Sequence, residues 1–470
     1  MEEILVGRDA ETRLMEKYIA SQRSEFIAVY GRRRVGKTFF VRKVLGKRIC
    51  FAVSGVANLG IKEQLTNFYL SMKQYFPNAE YKKSWLEIFD ELRQQLEKLN
   101  SKTKILFIDE MPWLDSARSG FISALEHFWN SWASVQSNIK LIVCGSATSW
   151  MINNLINNRG GLHNRVTHQI CIEPFTIGQC NEYFKAYKFA YSIRELADCY
   201  MVFGGVPYYL SLMDKDLSVA QNIDRLFFAN NAELRNEADN LFRSLFLHSN
   251  DYVNIVSSLG KKMKGLTRAQ ILEDTKLQNN ARFTTILKEL EQCGFIRSYI
   301  PFDGAKRSLM YQLVDSFVNF TIHFASHNNY HDEEYWTHSL NSGKYNAWSG
   351  FAFEILCLNH TNQIKKALSI AGMQSNVCSW LSKADSGAQI DLLIDRADQT
   401  INLCELKYYR TEYELTKADE KNINNKIQQF ISQTHTKKSV RLTMITSFGI
   451  KPNKYSGYIQ NSLTLSDLII

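Results

Sequence analysis

The chain has 470 residues with 45% apolar and 12% aromatic content, which excludes a disordered protein. That length exceeds one ordinary core, so roughly two to four domains are expected. The formal charge of +9 admits an acidic partner such as DNA without requiring one, and nine scattered cysteines with no CxxC pair argue against a zinc knuckle or a disulfide framework.

The opening MEEILVGRDAETRL is polar and lacks the apolar stretch of a signal peptide, and no uncharged apolar run nears the ~20 residues that span a bilayer. A soluble, cytoplasmic protein without membrane contact is expected, and cysteines with no pairing pattern fit a reducing compartment.

FIAVY at 26–30 predicts a short buried strand; GRRRVGKT follows it, and FFVRKVL predicts a helix. Gly31, Gly36, Lys37 and Thr38 match G-x4-G-K-[ST] in the strand–loop–helix setting the motif requires. Such glycines let backbone N–H groups wrap phosphates, and the helix N-terminus adds partial positive charge. Lys37 would reach the β- and γ-phosphates of a nucleotide, and Thr38 would ligate Mg²⁺. A second strand, ILFI at 105–108, ends in Asp109 and Glu110. Asp109 would hold the Mg²⁺, and Glu110 would orient and deprotonate the attacking water. A third, KLIVC at 140–144, runs into GSATSWM, where Ser146 or Thr148 could meet the γ-phosphate or simply cap a polar loop. Arg159 and Arg165 in NNRGGLHNR are candidates for a transition-state arginine or for surface charge.

Residues 175–250 read as helices and would form a helical lid. LTRAQILEDTKL, capped by Thr267, and NNARFTTILKELEQCG, ended by Gly294, predict two further helices. FIRSYIPF and SLMYQLVD predict a hairpin around DGAKR, and the set predicts a winged helix. Arg282, Lys288 and Arg307 could touch phosphates. Glu289 and Glu291 share the second helix, so packing within the protein or against a partner is favoured over DNA reading. His323, His327 and His331 would align for metal binding only in an unbroken helix; Asn328 and Asn329 argue for a frayed end.

WSGFAFEILCLNHTNQI predicts an apolar helix carrying Glu354, and IDLLI (390–394) with INLCELKYY (401–409) predicts a hairpin across RADQT. Antiparallel pairing puts Asp391, Glu405 and Lys407 at one end of that hairpin. The two carboxylates could hold a divalent cation, with Glu354 joining them, and Lys407 could polarise a water or stabilise a pentacovalent phosphate. NNKIQQFI predicts another helix with Lys426 and Gln428 as supporting groups. The alternative is a salt-bridge cluster on a half-wet sheet face.

VGRDAE (6–11), GRRRVGKT (31–38), LFIDEMPWL (106–114) and GGVP (204–207), in that order, resemble the archaeal-type branch of the AAA+/STAND P-loop ATPases. The resemblance implies ATP as the nucleotide, Gly7 and Arg8 as contacts on its adenine or ribose side, and Gly205 and Pro207 near it. Glu354, Asp391, Glu405 and Lys407 resemble the PD-(D/E)xK nuclease fold, with Ile390-Asp391 in place of Pro-Asp. The C-terminal domain commonly fused to these ATPases is similarly restriction-endonuclease-like.

The expected fold class is therefore α/β. A P-loop NTPase parallel sheet would occupy 1–175, a helical lid 176–250, a winged helix 251–325 and an α/β restriction-endonuclease-like domain 326–470. The expected function is a Mg²⁺-requiring ATPase that binds and hydrolyses ATP and whose nucleotide state controls a metal-dependent nuclease-like domain acting on DNA. One alternative is an ATP-driven conformational switch that binds a protein partner or itself, with a non-catalytic C-terminal module. A third reading is a DNA-binding regulator acting through the winged helix.

Overall fold

The computed structural model describes residues 4–116, 118–157, 162, 164–246, 248–262, 265–302, 304, 308–325, 332–382 and 387–469. The chain divides into two compact units, residues 1–174 and 175–470.

The first unit is built on five parallel strands: β1 (Glu25–Tyr30), β2 (Ile49–Ser54), β3 (Lys104–Asp109), β4 (Ile139–Cys144) and β5 (His168–Cys171). Their order is β2-β3-β4-β1-β5. These strands read as near-continuous apolar runs because both faces of the sheet are covered, as an all-parallel sheet requires. Phe26, Ala28, Phe51, Leu106 and Val143 pack into one layer with Phe68, Phe89 and Trp129. Ile27, Val29, Phe107 and Ile142 face the other way, onto Phe40, Val41 and Met15. Burying each such side chain contributes about 1.5–3 kcal/mol.

The second unit opens with helices Ile177–Ala186, Ile193–Phe203, Pro207–Ser211, Val219–Ile223, Glu237–Leu245 and Ser249–Lys262. Three of them start on a Ser or Thr followed three residues later by Gln or Glu: Thr176/Gln179, Ser192/Glu195 and Ser218/Gln221. Each pair closes a reciprocal capping box that satisfies two otherwise orphaned N–H groups. The stretch LFRSLFLHSNDYVNIVSSLG belongs to two helices, Glu237–Leu245 and Ser249–Lys262. Phe246 is extended at φ −132° and His248 is left-handed at φ +59°. The break lets Phe246 stack on Tyr252 at 3.9 Å between ring centroids.

Helices Arg268–Thr275 and Ala281–Gln292 follow, beside an antiparallel sheet of β6 (Leu266–Thr267), β7 (Ile296–Tyr299) and β8 (Met310–Leu313) in the order β6-β8-β7. Thr267 caps the first of these helices, and Gly294, at φ +76°, lies just beyond the second. A mixed sheet completes the unit: β9 (Ser375–Leu381), β10 (Gln389–Arg396), β11 (Thr400–Lys407), β12 (Ser439–Thr446) and β13 (Asn461–Thr464). Strands β9, β10 and β11 are antiparallel, whereas β11, β12 and β13 run parallel. The parallel step from β11 to β12 crosses over through helix Lys417–Thr434, as parallel neighbours demand. Helix Gly343–Asn359 packs against β11 and carries Glu354. No described helix is long and apolar enough to cross a membrane.

Candidate functional site

In the first unit the pairing register sets Val29 beside Cys144 and Ile108 beside Val143. The C-terminal ends of β1, β4 and β3 therefore lie side by side, the edge where open α/β sheets bind ligands. Three segments leave from that edge: the glycine loop, Asp109-Glu110 and Gly145-Ser146.

The loop cannot be built from other residues. Gly31 has φ +139° and a β-carbon there would collide with the Ile172 carbonyl. Arg34 at +74° and Gly36 at +86° are also left-handed, so the loop curls into a concave turn. Lys37, at 5% exposure, donates from Nζ to the Gly31 and Arg32 carbonyls at 2.8 and 2.9 Å. Burial lowers its pKa, against the pull of Cys144, Glu110 and Asp109. Thr38 Oγ1 donates to Asp109, 3.0 Å from each carboxylate oxygen, and Ser54 Oγ donates to Oδ2 at 3.2 Å. Burial and the charge of Glu110 raise the Asp109 pKa. Glu110 Oε2 accepts from the Ser146 N–H at 3.1 Å and from its hydroxyl at 2.7 Å. Of the two candidates at the tip of β4, Ser146 is thus the one that reaches the acid. The Thr148 hydroxyl is buried without a hydrogen-bond partner among the described residues.

Arg8, at 5% exposure, is bound into the chain beside this loop. Its guanidinium donates to the Glu173 carbonyl at 2.7 Å and the Val35 carbonyl at 3.5 Å, tying the loop to the segment after β5. Gly7 precedes it at φ +63°. Arg165 is exposed, and Arg159 lies outside the described residues. Gly205 and Pro207 belong to the second unit. Gly205, at φ +67°, accepts from Phe175 N–H at 2.7 Å and has no room for a β-carbon against the Phe175 carbonyl; Pro207 opens helix Pro207–Ser211.

The second unit brings the other predicted residues together. Asp391 and Glu405 each stand one residue beyond the Leu392–Cys404 pair of the β10–β11 ladder. Glu405, at 5% exposure, accepts from Lys407 Nζ at 3.1 Å and from Lys426 Nζ at 2.8 Å. Gln389 Nε2 donates to Asp391 at 2.6 Å. Burial drives the Glu354 carboxyl well above its ordinary range, helped by the charges of Asp391 and Glu405 and opposed by Lys426 and Lys407. Burial likewise raises the Asp391 pKa, with Gln389 and Lys426 acting against it. Three carboxylates thus lie in the field of two ammonium groups, both of which pair with Glu405.

Oxygen donors of this kind suit a hard divalent cation. As arranged, however, Glu405 is taken by the two lysines. Among the described residues no three His, Cys, Asp or Glu side chains form a set that could hold a metal ion. Gln428 is exposed and does not join the cluster, because two residues along a helix turn it about 200° from Lys426. His327 and His331 lie outside the described residues. Gln389 was detectable in the sequence, two residues before Asp391 and so on the same face of a strand. Arg297 was not: it comes from β7, far upstream, and its charge acts on Asp391.

Parallel strand order, glycine loop, buried lysine and strand-end acids match a P-loop NTPase fold in the first unit. Residues 5–213 match the family of ATPase domains predominantly from Archaea, which supports an archaeal-type P-loop ATPase and ATP hydrolysis. The chain is 25% identical over 397 residues to an uncharacterized protein of Methanocaldococcus jannaschii, covering 83% of this chain and 84% of that protein. Among solved structures it resembles a Walker-type ATPase of Pyrococcus abyssi at 17% identity and a TM-score of 0.49, over 68% of this chain and 96% of the other. It also resembles the ORC2 protein of Aeropyrum pernix at 12% identity and a TM-score of 0.42, with the same coverage of each chain.

Proposed function

We propose that the chain binds and hydrolyses ATP and that its nucleotide state controls a nuclease-like domain acting on DNA. The carrying observation is the convergence of Glu354, Asp391, Glu405 and Lys407 from one helix and two strands. At the nucleotide site Lys37 would bind the phosphates, and Glu110, held by Ser146, would take the proton of the attacking water. Thr38 and Asp109 are the oxygen donors that would hold Mg²⁺, which supplies charge neutralisation on the phosphates when bound. At the second site the reading assigns Glu354, Asp391 and Glu405 as oxygen donors for a divalent cation, a set the present arrangement does not bring together for a metal ion, and Lys407 to offset charge on a cleaving phosphate.

In this reading the domains are an ATPase core at 1–175, a helical lid at 176–250, a winged helix at 251–325 and the nuclease-like domain at 326–470, in a cytoplasmic protein. The winged helix serves packing rather than DNA reading. Arg282 is paired with Asp251 at 2.7 Å, and Glu289 and Glu291 accept from Tyr252 and Ser298. Arg307 lies outside the described residues.

The test is cleavage of plasmid and single-stranded DNA with Mg²⁺ or Mn²⁺. Asp391→Ala should reduce the rate at least about a hundredfold, the scale of a group engaged in chemistry. Full activity in that variant refutes the site. One observation favours a second reading: Glu405 is already satisfied by two lysines. A chain that cleaves nothing under any condition is an ATP-driven switch for a protein partner or itself, with a non-catalytic C-terminal module.

A further inference from the structure

A cleft of about 580 Å³ opens beside Glu354 and Lys407, within the range of small-molecule and nucleotide sites. One wall is the face of helix Gly343–Asn359 formed by Asn346, Ser349 and Gly350; the other is the run from Leu406 to Thr411 that leaves β11. Its chemistry is mixed rather than apolar: two cations, one carboxylate, amides, hydroxyls and tyrosine rings.

The β11 wall is rigid. Tyr408 OH donates to Asp198 at 2.6 Å, anchoring that residue inward. Ser447 Oγ accepts from the Tyr409 N–H and donates to the Tyr409 carbonyl, both at 2.7 Å, which pins the backbone on both sides. Tyr409 nevertheless remains 48% exposed, and its ring lies tilted against Tyr413 at 4.6 Å between centroids. Arg410 is exposed, with its guanidinium 5.9 Å from the Tyr345 ring. A held backbone thus presents an exposed tyrosine in a cleft that Lys407, paired with Glu405, and Arg410, beside Tyr345, also line.

We infer that this cleft binds one strand of nucleic acid, with a base stacked on Tyr409 and the flanking phosphates on Lys407 and Arg410. Stacking on aromatic rings beside a basic groove is how single strands are held without sequence preference. A base already stacked within a duplex cannot use the Tyr409 face, so the site discriminates for single strands. The inference rests on the nuclease-like reading only in that it gives the cluster its substrate; binding itself needs no cleavage.

The experiment measures anisotropy of a fluorescent oligothymidylate with the intact chain in EDTA, so that no metal-dependent cleavage intervenes. Tyr409→Ala should weaken binding about tenfold, the scale of one lost base stack. Arg410→Ala should weaken it and flatten the dependence of log K on log salt by about 0.7, the loss of one phosphate contact on a single strand. Both positions are exposed, and thermal melts of the variants verify folding. Unchanged affinity in both variants, or equal affinity for a duplex of the same length, overturns the inference. If wild type binds the strand, the variants lose it and cleavage is absent with every metal, the cleft stands and the nuclease reading falls. If cleavage is present while both variants bind normally, the cleft falls and the nuclease reading stands.

Discussion

Glu110 sits at φ 45° and ψ 44°, a left-handed conformation that costs a side-chain-bearing residue about 1–2 kcal/mol. The chain accepts that cost where two donors of Ser146 meet one carboxylate oxygen. In the proposed reading an acid so held takes the proton of the attacking water. Glu110→Gln keeps the shape and the Ser146 contacts but cannot take a proton. ATP turnover should fall about 10²- to 10⁴-fold while ATP affinity changes little. Wild-type turnover in that variant would remove Glu110 as the base. At this scale much was legible. Gly31, Gly36, Lys37, Thr38, Asp109 and Glu110 lie in two short motifs whose spacing follows from backbone geometry. The engagement of Arg8 with backbone carbonyls was not, because its partners, Val35 and Glu173, are spread along the chain.

Between elements the chain relies on a few buried polar anchors. His360, fully buried just past helix Gly343–Asn359, accepts from the Ile177 N–H through Nε2 at 2.8 Å, and its Nδ1 donates to the Leu356 carbonyl at 2.8 Å. It ties the start of one helix to the end of another in a single tautomer. Burial depresses its pKa from 6.5 to about 4, because a protonated ring would lose its acceptor nitrogen in an apolar setting. Between those values the unfolded chain binds the proton and the folded chain does not. The contribution is therefore complete above pH 6.5 and lost as pH falls toward about 4, a span on the order of 3 kcal/mol. Denaturant titrations of wild type and His360→Gln should diverge at neutral pH and converge as the buffer is acidified. Parallel curves across that window would contradict this. Nothing in the sequence marked His360, since its role is set by Ile177, 183 residues away. By contrast the β10–β11 hairpin was legible, because Asp391 and Glu405 are brought together by a short local turn. The helix end at Phe246 was not legible, because an apolar run hides an extended phenylalanine.

Across the whole molecule two clusters are set on two units: the glycine loop with its lysine and strand-end acids on the parallel sheet, and a carboxylate–lysine cluster on the mixed one. Lys426, on helix Lys417–Thr434, pairs with Glu405 at 2.8 Å, so a change in that helix would alter the cluster directly. A nucleotide-driven switch must bias some such element to matter. The most direct measurement is the initial rate of metal-dependent DNA cleavage by the intact chain with ATP, with ADP and without nucleotide, in wild type and Lys37→Ala. Nucleotide should change the wild-type rate at least about tenfold, a coupling near 1.4 kcal/mol, and leave Lys37→Ala unmoved. Equal rates in all three conditions for wild type would contradict nucleotide control of the C-terminal site.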